Sequence, residues 1–153
     1  MKSTKLIFSS LLLVLMLALV SGSSPKANSD NQQSDKPAIK VHYLEIVTPK
    51  AEETCKVLSI AHGVEFGDPI PEFGNARTAI LSDGGRIGVR APMRDSEKPV
   101  VRPYVLVDDV VAAVNAAKKA GAEVAIPPME MPGGQGKFSI YILGGIEHGL
   151  WQI

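Results

Sequence analysis

Along the chain, apolar and polar positions change period in a repeating order. Residues 105–107, Val-Leu-Val, form a short apolar strand, followed by Asp108 and Asp109, either of which can accept hydrogen bonds from the free amides at a helix start. Val110, Val111, Val114 and Ala117 then recur at helical spacing over residues 110–120, with Lys118 and Lys119 in the last turn and Gly121 as the stop. Residues 124–126, 138–143 and 149–153 read as three more strands, broken by a Pro/Gly stretch and by Gly144-Gly145.

The preceding half carries the same order of signals. Residues 41–47 form a strand, and residues 51–61 a helix entered through Thr48-Pro49, with Glu52-Glu53 near its positive end and Gly63 beyond it. Residues 67–74, with Pro69 and Pro71, form an irregular connection. A hairpin joins residues 76–81 to 86–90 around Asp83-Gly84-Gly85. Displacing the sequence by about sixty positions lays Val47 on Val107 and Gly84-Gly85 on Gly144-Gly145, although few residues are identical. The pattern predicts an α+β domain over residues 39–153, built from two βαβββ modules, about 39–92 and 101–153, joined by a polar linker.

What precedes the domain differs in kind. Lys2 and Lys5, the apolar run 6–20 and the small residues Ser21-Gly22-Ser23-Ser24 have the n-region, h-region and cleavage pattern of a secretory signal peptide, assigned to residues 1–24. Residues 25–38, rich in Ser, Asn, Gln, Asp and Lys, read as a disordered tether. The expectation is an exported protein, periplasmic or secreted, that meets a membrane only through the signal segment. With Lys2 and Lys5 removed, 14 basic residues face 16 acidic ones, a balance that argues against a nucleic-acid partner. The single cysteine, Cys55, excludes an internal disulfide and suits a buried apolar place in the first helix.

The run Val107-Asp108-Asp109-Val110, then Gly121, Pro127-Pro128-Met129-Glu130-Met131-Pro132-Gly133, Lys137-Phe138 and Leu150-Trp151-Gln152 resembles the vicinal oxygen chelate superfamily, the glyoxalase and bleomycin-resistance group. Within it, the run is most similar to the subgroup called predicted enzymes related to lactoylglutathione lyase. The resemblance implies two modules of curved mixed sheet, paired around a cavity, with four metal ligands supplied by members of known chemistry. At those four positions this sequence has His42, Arg102, Val89 and Gly149, with Glu147 two residues before Gly149 and of the same strand parity. Only His42 and Glu147 are then ligand types, and a divalent ion usually takes three or four protein ligands. The expectation is therefore a protein with no metal or other cofactor.

Under that resemblance His42 and Glu147 are the candidate catalytic groups, as acid–base residues, and Arg102 and Tyr104 the candidate ligand-binding groups, as an anion clamp and a hydrogen-bond donor or stacking surface. Two functions follow: a lyase or isomerase-like enzyme acting on a small oxygenated or carboxylated compound, or a non-catalytic protein that binds or sequesters a small molecule. His62, at a helix end, reads as a dipole cap, His148 as structural and Trp151 as core. A homodimer, with modules paired within or between chains, is compatible with the repeat.

Overall fold

The computed structural model describes residues 39–153; the signal peptide and tether expected before them lie outside the described residues. The chain runs β1 (Val41–Val47), α1 (Ala51–His62), β2 (Arg77–Ile80), β3 (Arg86–Arg90), β4 (Val100–Leu106), α2 (Val110–Lys119), β5 (Glu123–Glu130), β6 (Lys137–Leu143) and β7 (Ile146–Gln152). Two single turns of 3-10 helix, Pro71–Phe73 and Pro132–Gly134, lie in the long connections. No described helix is long and apolar enough to cross a membrane.

All seven strands join one mixed sheet in the order β2-β3-β1-β4-β7-β6-β5. Strands β1 and β4, the first of each module, pair antiparallel at its centre, and each pairs parallel with the last strand of its own module, β3 or β7. The repeat therefore becomes a sheet whose halves meet along β1 and β4. The second module is a full βαβββ unit. In the first, the segment equivalent to β5 is reduced to a single bridge between Ile70 and Ala76.

The helices end where their sequences direct. Asp109 Oδ1 accepts from the amides of Val111 and Ala112 at 2.8 and 2.9 Å, capping α2. Gly63 closes α1 in the left-handed conformation, φ 67°. Val110 and Val114 of α2 pack on Leu150, with Val107, Val124 and Tyr141 around them. Cys55 is buried on α1 and unpaired, and His148 stacks on Tyr141 at 5.0 Å.

Strand bounds differ from the sequence reading in two informative places. β4 starts at Val100, so Arg102 and Tyr104 are strand residues, and β7 starts at Ile146. β5 continues through Pro127 and Pro128 to Glu130; it is the sheet's edge, where a missing amide costs no ladder bond. The other face of the sheet carries an aromatic core of Tyr43, Phe73, Tyr104 and Trp151, with Phe138 against it.

Candidate functional site

Alternation along the two central strands decides what this concave face presents. On β1 the buried residues are Tyr43, Glu45 and Val47, and on β4 they are Arg102 and Tyr104. β3 contributes Arg90 and β7 contributes Glu147 and Trp151. All of these but Val47 meet in a cavity of about 510 Å³, walled by Phe73, Met93, Ile126, Met129, Met131, Phe138 and Ile140. Its volume lies within the range of small-molecule sites, and its largely apolar wall with a few convergent polar groups has their composition. The turns at 71–74 and 129–132 lie at its margin. The second is held down by Met131 N donating to Gly136 O (2.7 Å) and by Trp151 Nε1 donating to Gln135 O (3.0 Å).

One end of the cavity is an ion network. Arg102 donates to both Glu45 and Glu147, through Nε to Glu147 at 2.8 Å. Arg90 Nε donates to Glu45 Oε1 at 2.7 Å, and its two terminal nitrogens form a fork on Glu97 at 2.9 and 2.7 Å. The Tyr104 hydroxyl donates to Glu45 at 3.1 Å. Glu45, Arg90 and Arg102 are each at most 6 % exposed, so the charges survive burial only because each has its partner. Burial opposes the charge on Arg90 and Arg102, but the carboxylates outweigh it and hold both guanidiniums protonated more firmly than usual. Hydrogen bonds from Arg90 bring Glu97 down to about 2. Burial first, then the charge of Glu45, pushes the Tyr104 phenol upward, so it stays a neutral donor.

Three of the four sequence candidates, Arg102, Tyr104 and Glu147, thus share one cavity. His42 does not join them. A bulge at Val41–Tyr43 shifts the register of β1 against β4. The His42 ring packs 5.4 Å from Trp151 and opens on a smaller cavity behind it. His42 and Arg102 therefore line different cavities. Val89 lies buried on the opposite face of β3 from Arg90, and Gly149 has no side chain to offer. Glu45, Arg90 and Glu97 escaped the sequence reading. The available signal was a charged residue inside each apolar strand, together with a carboxylate in what looked like a mere linker.

Among the described residues no three His, Cys, Asp or Glu side chains converge as a ligand set. Two of the cavity carboxylates, Glu45 and Glu147, are both bound by the same guanidinium, Arg102, so a cation there would face a like charge.

Neither the protein-family models nor the curated proteins contain a match to this chain. Solved structures do match. A hypothetical protein from Bacillus halodurans superposes with a TM-score of 0.61 at 9 % identity, covering 76 % of this chain and 96 % of that one. Streptomyces coelicolor methylmalonyl-CoA epimerase, in complex with 2-nitronate-propionyl-CoA, gives 0.55 at 17 % identity over 74 % and 96 %. The methylmalonyl-CoA epimerase of Mycobacterium tuberculosis gives 0.55 at 14 % over 72 % and 85 %. The fold is the vicinal oxygen chelate fold. At such identities the likeness speaks for architecture alone, and the chemistry has to be argued from the side chains of this chain's own cavity.

Proposed function

We propose that this is an exported, metal-independent protein of the vicinal oxygen chelate group that binds a small, largely apolar, oxygenated molecule in the 510 Å³ cavity. Export rests on the amino-terminal pattern of residues 1–24 and metal independence on the Arg102-bound carboxylates. The observation that carries binding over chemistry is the saturation of the cavity's ion network. Glu45, Arg90, Arg102 and Glu97 are each committed to a buried partner, which leaves shape, aromatic surface and Met93, Met129 and Met131 to hold a ligand.

Trp151 is the only tryptophan and lines the cavity, so its emission reports occupancy. Titration of the full chain with a panel of aromatic and aliphatic alcohols, ketones and carboxylates should find saturable changes for some members, unaltered by EDTA and weakened by Phe138→Ala. A panel that leaves both the emission and the melting temperature unmoved would sink this reading.

One observation favours a second reading, an isomerase-like enzyme. Glu147 is the least enclosed group of the network, its side chain 38 % exposed, and a ligand carboxylate exchanging for it on Arg102 would free it as a proton acceptor beside that ligand. Incorporation of solvent deuterium into a bound ligand, lost in Glu147→Gln while binding persists, would establish catalysis. Binding without exchange leaves the first reading standing.

A further inference from the structure

Behind the large cavity, and sharing Tyr43, Phe73 and Trp151 with it as a common wall, lies a second cavity of about 180 Å³. At roughly 30 Å³ per liquid water that is room for about six waters or one small ion with its shell. His42 and Arg86 line it. The Arg86 guanidinium lies 5.6 Å from the centre of the Phe73 ring, a cation–π contact that leaves its N–H edge unused. Arg77, Arg90 and Arg102 all have carboxylate partners. Among the described residues no carboxylate lies within ion-pairing reach of Arg86, although it is half-buried on a strand.

A half-buried guanidinium with free donors asks for an anion, because its planar fork matches a carboxylate or phosphate edge. The neighbourhood agrees. Burial, then the charges of Arg86 and Lys40, pull the His42 imidazole below its ordinary value, so basic groups converge here. At neutral pH the ring is uncharged and offers one N–H as a donor.

We propose that Arg86 and His42 form an oxyanion-binding site, separate from the main cavity, that takes a small carboxylate or phosphate. Arg86 supplies the charge and the fork, His42 a neutral hydrogen bond, and Phe73 holds the guanidinium flat. Arg86 differs in this from Arg102, whose guanidinium is already bound by Glu45 and Glu147.

The test follows the imidazole signals of the full chain by NMR at constant ionic strength, with sodium phosphate in one titration and sodium acetate in another. The expected result is a saturable shift at His42, assigned by its absence in His42→Gln, with His62 and His148 unmoved. Phosphate alone acting would make the ligand a tetrahedral oxyanion; acetate acting as well would make it a carboxylate or either. Arg86→Gln should weaken binding by about tenfold or more, the loss expected for charge-assisted hydrogen bonds. Arg86→Lys should fall between, keeping charge but not the fork. That intermediate value also keeps the test open if Arg86→Gln folds poorly. Absence of any saturable shift at His42 with both anions, or equal affinity in both Arg86 variants and the parent chain, overturns the proposal.

Discussion

In each module a tyrosine of the first strand lies over a glycine of the last, yet the two pairs end differently. Tyr104 covers Gly149, its direct neighbour across the β4–β7 ladder, and its hydroxyl extends on to Glu45. Tyr43 stands beside Arg86 in the β1–β3 ladder, two residues short of Gly88, so its hydroxyl end rather than its ring body abuts the glycine. That hydroxyl is sealed from solvent and has no partner among the described residues. The residue two before each glycine differs as well: Glu147 is bound by Arg102, whereas Arg86 is free of carboxylates. The two modules thus share a packing device while the polar groups around it differ. One side holds a closed ion network and the other an open cation.

The comparison breaks most sharply at Glu45, which holds both buried arginines. Glu45→Ala leaves two guanidiniums short of a partner, and loss of one member of such a pair costs about 3–5 kcal/mol. Chemical denaturation should show that drop for Glu45→Ala, while Arg86→Gln, at a site with no ion pair to lose, should stay within about 0.5 kcal/mol of the parent chain. Comparable losses for both would mean that Arg86 has a structural partner after all.

The glycines come next. A Cβ at Gly88 or Gly149 would collide with the tyrosine above it, so Gly88→Ala and Gly149→Ala should each lower stability by about 1–3 kcal/mol, as overpacked cores do. Gly144→Ala is a poor control because φ there is 60°. Gly67→Ala, which meets only a backbone oxygen at 3.8 Å, is a better one and should lose less.

How far the sequence foretold this arrangement divides along the same line. Helix caps, glycine turns and strand periodicity are local, and they indicated the order of elements and the repeated module, while the cavity was expected only from the family resemblance. Which residues face that cavity is not local. The bulge at Val41–Tyr43 and the pairing of β1 with β4 set it, and a one-residue change of register exchanges the faces of a strand. The positions matched to the resembled family's ligands on β1 and β3 were His42 and Val89, where the inward charges are Glu45 and Arg90. Glu97 was hidden for another reason. Its partner Arg90 is seven residues away and the contact depends on how the linker folds back.

Acid separates the two sides more gently. Glu97 is held at about 2, against an ordinary 4.5, by Arg90. A carboxylate lowered on folding stabilises the protein above its ordinary value, and that contribution disappears as pH falls from about 4.5 towards 2. Stability measured across this window should fall for the parent chain and fall less steeply in Glu97→Gln. Arg86→Gln should follow the parent, since no carboxylate is paired there. Equal slopes in all three would detach Glu97 from the network.

The finest contrast lies between the two phenols. Tyr104→Phe removes a donor to a buried carboxylate that is already shared with two arginines, and hydrogen bonds of this kind are worth about 1–2 kcal/mol. Tyr43→Phe removes a hydroxyl that no described group satisfies. Burial of that oxygen raises its proton affinity well above the ordinary phenol value, so it gains nothing by ionising. The phenylalanine keeps the ring against Phe73 and Trp151, at centroid distances of 5.4 and 5.7 Å, and discards a desolvated polar atom. It should therefore be neutral or stabilising by up to about 1 kcal/mol. Paired denaturation curves read this directly, and opposite signs for the two substitutions are the expected result. A clear loss in Tyr43→Phe would reveal a buried water bound at that hydroxyl, making the first module polar where its side chains alone leave it dry.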